Sequence, residues 1–189
     1  MMIMKDFIEV LDNPKTEDYN ILKEEILSTK FSWNYLTATP PEDNIDSGKF
    51  TANPIYQHSI VAGVSSPPDF LVPRVESQYA EHMFFVIRQI LDYNSIEYNQ
   101  IHRCVVNQIH YWDGKPSPPH VDHTSIIHKN CIIYLNSFDR GEIDLYDDGE
   151  CIDSYKPYED DIIIFDGYNH SINQPAPEQR RVVIVFTYS

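Results

Sequence analysis

His102-Arg103-Cys104-Val105-Val106-Asn107-Gln108-Ile109-His110-Tyr111 is the stretch that decides the fold. Val105, Asn107, Ile109 and Tyr111 recur every second residue, the period of an extended strand that sends alternate side chains to opposite faces. Further stretches rich in Ile, Val, Tyr and Phe follow at 130–135, 142–146, 161–165 and 182–188, most of them bounded by Pro, Gly, Asn or Asp. No helical period interrupts them. Strands spaced this way predict an antiparallel sandwich or jelly roll.

Upstream the period changes. Val75, Tyr79, Met83, Val86, Ile87, Ile90 and Leu91 fall on one helical face, which predicts a helix over 74–94 with its apolar stripe against a sheet. Leu22 and Ile26, one turn apart, predict a shorter helix over 17–28. The rest of the chain up to Pro73 reads as loop, broken at Pro40-Pro41, Pro54, Pro67-Pro68 and Pro73. It would serve as a lid, a flank or a substrate-facing rim. The expected order is helices first, then an all-β core. That makes an α+β chain read as one domain over 1–189, with 1–100 as support and 101–189 as the core.

Composition narrows the function. The chain has 189 residues, enough for a sizeable core, and 13% of them are aromatic, too many for a disordered chain. Its 14 Lys and Arg against 29 Asp and Glu give a formal charge of −15. Such a surface repels phosphate backbones and anionic lipid, so no nucleic-acid or membrane partner is expected. Three Cys without a C-x-x-C pair argue against a disulfide scaffold and for a reducing compartment. The start, Met1 to Asp6, is too short an apolar run for a signal peptide, and no run is long enough to span a bilayer. A cytoplasmic location is the expectation.

The chemistry concentrates at Pro118-Pro119-His120-Val121-Asp122-His123. In an extended segment His120 and Asp122 point to the same side, where an imidazole and a carboxylate can hold a divalent ion. His170, just past Phe165-Asp166-Gly167, is the best third ligand. Two His and one carboxylate on one face of a metal leave the opposite positions open, which suits non-haem Fe(II). A solvated surface pair, or a local set of His120, His123 and His128, would account for the same residues. His123 is expected at the rim, facing away from His120 and Asp122. His110 reads as structural or exposed, and His58, His82 and His102 lie outside the cluster. Arg180-Arg181 opens the last strand: one of them is a candidate for a bidentate bond to a dianion's carboxylate, the alternative being a solvated basic pair. Tyr134 would either donate to that carboxylate or fill the core.

Taken in order, these pieces resemble the 2-oxoglutarate- and Fe(II)-dependent oxygenases, in particular the small prolyl-hydroxylase-like members of bacteria and phages. The resemblance rests on Tyr111-Trp112-Asp113-Gly114, His120-Val121-Asp122, Tyr134-Leu135-Asn136, Gly141-Glu142-Ile143, His170, and Arg181 to Phe186. It covers about half the chain, from His102 onward. It implies a double-stranded β-helix (jelly-roll) core with the N-terminal helices packed on one sheet. It also implies His120, Asp122 and His170 as iron ligands, Tyr134 on the far carboxylate of the cosubstrate, and Tyr111 as a pocket tyrosine. The basic partner is Arg181 by the text of its strand and Arg180 by the count from His170; the two point to opposite faces. The chain departs from the family pattern at Arg140-Gly141, where a double glycine is usual, and at Val183, where a small polar residue is.

The resemblance further implies Fe(II), 2-oxoglutarate and O2 as cofactor and cosubstrates. The reaction would be a hydroxylation coupled to decarboxylation of 2-oxoglutarate to succinate. A carboxylate at Asp122 favours hydroxylation over halogenation. A prolyl or other protein residue, a free amino acid and a small metabolite are all open as primary substrate. The competing readings are a cupin-like metal protein without 2-oxoglutarate, a jelly roll that only binds a partner, and a nucleic-acid demethylase, which the charge disfavours. Glu142, Asp144, Asp147, Asp148 and Glu150 read as an acidic mouth or as a solvated strand and turn.

Overall fold

A computed structural model describes residues 7–36, 54–62 and 73–189. The expected breaks at Pro40-Pro41 and Pro67-Pro68, and the start Met1 to Asp6, lie outside the described residues. Along the chain come β1 (Glu9–Leu11), α1 (Glu17–Leu27), β2 (Asn34–Leu36), β3 (Ile55–Ala62), β4 (Arg74–Val75) and α2 (Ala80–Tyr93). Then follow β5 (Ile101–His110), β6 (Lys129–Tyr134), β7 (Ile143–Asp147), β8 (Glu150–Tyr155), β9 (Ile162–Asp166), β10 (Asn169–Ile172) and β11 (Arg180–Tyr188). A major sheet runs β1-β9-β6-β11-β5-β3-β2, with β4 on β3, and a minor sheet runs β10-β7-β8. The ladders are antiparallel throughout.

Strand parity builds a layer on each side of the major sheet. Cys104, Val106, Cys131, Ile133, Ile162, Ile164, Ile184 and Phe186 face the helices, where Tyr19, Leu22 and Ile26 of α1 and Met83, Val86 and Ile90 of α2 cover them. The alternate residues Val105, Ile132, Tyr134, Ile163, Phe165, Val183 and Val185 face Ile143 and Leu145 of the minor sheet. The space between the sheets is the barrel, and the helices seal the other face of the major sheet. The expected jelly roll with helices on one sheet is the architecture observed.

Three expectations need correction. The helix over 74–94 begins only at Ala80, because Arg74 and Val75 pair with Ala62 and Val61 as an edge strand. Ser77 then turns the chain, its Oγ accepting from the Tyr79 amide at 3.1 Å. The stretch before Pro73 is not simply loop, and helices do not all precede the sheet. β1 pairs with β9 ahead of α1, and β3 sits between the two helices in sequence yet pairs directly with β5. Its alternation is hidden because the register slips between Ser59 and Val61. β8 is too polar, and β10 too short and polar, to show in the sequence. Asp148 and Gly149 join β7 to β8 with φ of 48° and 84°, the pair of positive values that a two-residue hairpin turn demands.

Candidate active site

The loop from Tyr111 to Asp122 is fastened along β10. Gln174, almost fully buried, accepts from the Trp112, Asp113 and Gly114 amides and donates to Asp113 Oδ1 and the Lys115 carbonyl. The Ser117 amide then bonds the Ile172 carbonyl at 2.8 Å, and His120 and His170 exchange backbone bonds of 2.9 and 2.8 Å. Pro118 and Pro119 favour the extended backbone that this pairing needs. Two stretches far apart in sequence therefore present their imidazoles side by side, with ring centroids 4.5 Å apart.

Ligand atoms of His120, Asp122 and His170 lie within 4.8 Å of one another. His120 Nδ1 is 3.1 Å from the Pro118 carbonyl, and His170 Nδ1 is 3.0 Å from that of Tyr168. A carbonyl oxygen only accepts, so both Nδ1 atoms carry a proton, which in the neutral ring leaves the lone pair on Nε2. The Nε2 of His170 is 3.9 Å from Asp122 Oδ2. Burial takes the His170 pKa down to about 4 despite the pull of Asp122, so the ring is neutral at pH 7. Burial alone would raise the Asp122 carboxyl, but Arg103 and the imidazoles of His170 and His120 outweigh it and bring the pKa to about 2. Two imidazole nitrogens and one carboxylate oxygen fit a divalent first-row metal, with backbone carbonyls as the outer partners that fix the rings.

Arg103 is the residue that sequence reasoning missed. Its Nη1 donates to Asp122 Oδ1 at 2.8 Å, which engages one carboxylate oxygen and leaves Oδ2 facing the imidazoles. The signal was present: Arg103 extends the alternating face of Val105 and Asn107 by two residues, and a lone Arg on an inward face needs a partner.

A second polar group lies at the other end of the barrel. Arg181 is fully buried, and Nε, Nη1 and Nη2 have no hydrogen-bond partner among the described residues. Its guanidinium carbon stands 5.2 Å from the centre of the Tyr134 ring; the Tyr134 hydroxyl is also buried without a geometric hydrogen bond among the described residues, and Arg181 pulls against the rise that burial gives its pKa. Arg180 faces the other way and is satisfied there, donating to Gln108 Oε1 at 3.1 Å and to the Leu27 carbonyl at 3.3 Å. Of the two arginines, only Arg181 enters the barrel.

Several solved structures share this shape. An oxidoreductase of the 2OG-Fe(II) oxygenase family from Burkholderia pseudomallei matches with a TM-score of 0.70 at 18% identity, over 97% of this chain and 85% of that one. The chain has the fold of the 2-oxoglutarate and Fe(II) oxygenases. A prolyl hydroxylase from Trichoplax adhaerens, in complex with a hypoxia-inducible-factor peptide, matches with a TM-score of 0.60 at 12% identity, over 97% and 84% of the two chains. The non-haem alpha-ketoglutarate-dependent epimerase SnoN of nogalamycin biosynthesis matches equally well in shape, with a TM-score of 0.60 at 11% identity over 97% and 78%. No protein-family model matches the chain, and no curated protein matches it in sequence. The oxygenase fold thus carries more than one reaction among these neighbours.

Within that fold the departures become intelligible. Arg140 and Gly141 have φ of 67° and 77°, so the positions of the usual double glycine keep their left-handed backbone here. A Cβ at Gly141 would come within 2.5 Å of the Phe138 ring, so this glycine is obligatory, whereas Arg140 carries the strain. Val183 lines the barrel between Arg181 and Val185. Tyr111 lies one residue past β5 and is 38% exposed, its hydroxyl 3.2 Å from where a Gly114 Cβ would be.

The remaining histidines divide. His123 does not face outward as expected: its Nε2 lies 2.7 Å from Thr187 Oγ1, and burial pushes its pKa down to about 4. It pairs edge-on with His128 at 4.8 Å between centroids, and neither joins His120 in a ligand set among the described residues. His58, His82 and His102 bond Ser32 and Ser77, Asp18, and Ser189 respectively, and His110 is exposed beside Gln108. In the acidic stretch Asp144 is held by Ser154 and Asn173, and Asp147, Asp148 and Glu150 sit on the exposed hairpin.

Proposed function

We propose that this chain is an Fe(II)- and 2-oxoglutarate-dependent dioxygenase that hydroxylates a C–H bond of a primary substrate. The observation that supports this best is Arg181. A guanidinium buried without a counter-ion costs several kcal/mol, on the order of 3–5 when its partner is missing, so the site calls for an anion. The buried Tyr134 hydroxyl beside it adds a second donor. A dicarboxylate with one end at His120, Asp122 and His170 brings its other carboxylate to Arg181 and Tyr134 across Val183 and Val185. When bound, the iron and cosubstrate supply O2 activation, and 2-oxoglutarate leaves as succinate and CO2.

The chain's own residues have distinct tasks in this reading. His170, kept neutral by burial, offers an Nε2 lone pair without first losing a proton, and His120 supplies the second imidazole. Asp122 offers one oxygen while Arg103 holds the other. Arg181 and Tyr134 fix the orientation of the cosubstrate, and Tyr111 serves as a further pocket tyrosine. The apolar wall of Val183, Val185 and Ile132 keeps water from the reacting centre. Fe(II)-loaded protein given 2-oxoglutarate, O2 and pooled peptides or metabolites is expected to release succinate. Wild-type protein that binds iron but forms no succinate with any pool contradicts the proposal and favours a metal jelly roll that does not use 2-oxoglutarate.

A further inference from the structure

The proposed reaction gives no task to His123 or His128. Each of them nevertheless stands against a part of the chain that carries a ligand.

Asp122 and His123 dock together. Strand register pairs Arg103 of β5 with Thr187 of β11. Asp122 Oδ1 accepts from Arg103 Nη1 at 2.8 Å, and the next residue, His123, sets its Nε2 2.7 Å from Thr187 Oγ1. Two consecutive side chains are thus fastened to two paired residues of one sheet. Thr187 is fully buried, which shields its bond from water.

His128 reaches the other ligand segment. Its ring meets that of His123 edge-on, with 4.8 Å between centroids and 90° between planes. Its backbone carbonyl accepts from the Gly167 amide at 3.0 Å. Gly167 also lies against the ring: a Cβ there would come within 2.7 Å of His128 Cε1, 3.0 Å of Nε2 and 3.1 Å of Nδ1. Gly167 is not among the glycines with positive φ, so close approach rather than backbone conformation is what calls for glycine. The residue after it, Tyr168, provides the carbonyl that stands 3.0 Å from His170 Nδ1 and fixes that ring.

The contacts therefore run without a break from the turn that holds His170, through His128 and His123, to Asp122 and Thr187. Close-packed side chains pass a displacement on, because no void absorbs it. We propose that His123 and His128 are positioning residues that set the separation of Asp122 from His170, with Thr187 and Gly167 as the two abutments. This rests on the reading of His120, Asp122 and His170 as metal ligands.

The test is a Mn(II) titration of the full chain followed by EPR, with the visible spectrum of the Co(II)-loaded protein reporting ligand geometry. Thr187→Val keeps the shape of the side chain and removes its hydroxyl, Thr187→Ser keeps the hydroxyl, and Gly167→Ala pushes on the His128 ring. Thr187→Val and Gly167→Ala are each expected to weaken Mn(II) binding by about 10- to 100-fold and to change the Co(II) bands, while Thr187→Ser stays within about threefold of wild type. Thermal melts of the metal-free proteins set a titration temperature at which each variant is folded. Should Gly167→Ala not fold, the two Thr187 variants decide. Wild-type affinity with unchanged Co(II) bands in either folded variant, or a Thr187→Ser as weak as Thr187→Val, overturns the positioning role and leaves the ligand set standing. A wild type that takes up no Mn(II), or whose uptake survives Asp122→Ala, overturns the ligand set itself, and the oxygenase reading and the positioning role with it.

Discussion

The two faces of β11 are built to opposite rules. Toward the helices, Val182, Ile184, Phe186 and Tyr188 are buried among aliphatic and aromatic neighbours. Toward the barrel, Val183 and Val185 are flanked by polar Arg181 and Thr187, both fully buried. One face holds the molecule together, and the other carries Arg181, which finds no hydrogen-bond partner among the described residues, and Thr187, which pairs with His123. Adjacent arginines make the point most sharply: Arg180 has two partners on the helix side, and Arg181 has no hydrogen bond among the described residues on the barrel side.

That contrast can be broken from either side. Phe186→Ala, on the helix face, is expected to cost about 3–5 kcal/mol in denaturant unfolding, because a fully buried ring leaves a cavity. Arg181→Met, on the barrel face, is expected to do the reverse. Calorimetry on the metal-loaded protein is expected to show 2-oxoglutarate binding about 30- to 1000-fold weaker, while the cosubstrate-free protein unfolds at the same or a higher temperature. A loss of stability there, with binding intact, would show that Arg181 has an internal partner. Arg103→Gln is expected to weaken Mn(II) affinity by about 10- to 100-fold through Asp122, without changing the fold.

Titration sharpens the same division. His170 and His123 have pKa values lowered from 6.5 to about 4, so the unfolded chain takes up protons between those values that the folded chain refuses. Stability of the metal-free protein is complete above about pH 6.5 and falls as pH drops toward 4, by about 1.4 kcal/mol per pH unit for each such histidine. Below that, Asp122, lowered from 3.8 to about 2, adds a further loss as it protonates. Thermal melts at a series of pH values check this, and His170→Gln should flatten the upper part of the curve. The smallest effect belongs to Arg180→Gln: within about 0.5 kcal/mol in stability and no change in cosubstrate affinity.

Much of the site was legible because it follows strand parity and short spacing. His120 and Asp122 share a side by the period of two, and the same period separates Arg180 from Arg181, although text and counting disagreed on which one turns inward. The missing fact was the sheet neighbour of each face, which depends on β5 and α1. β3 was illegible because its bulge breaks alternation, and β10 because Asn169-His170-Ser171-Ile172 is short and polar. The inward turn of His123 was misread because alternation was carried past His120, whose single bridge to His170 ends the pairing with β10 before the chain bends at Asp122. Arg103 shows the opposite failing: the period was there to be read, but its partner lies in a loop that only the fold brings near.

The most direct measurement is an anaerobic absorption titration of the protein with Fe(II) and then 2-oxoglutarate. A visible charge-transfer band that saturates in wild type, disappears in Asp122→Ala, and needs far more 2-oxoglutarate in Arg181→Met but not in Arg180→Gln is what the account predicts. A wild-type protein that binds Fe(II) yet forms no band, or a band indifferent to Arg181, contradicts it.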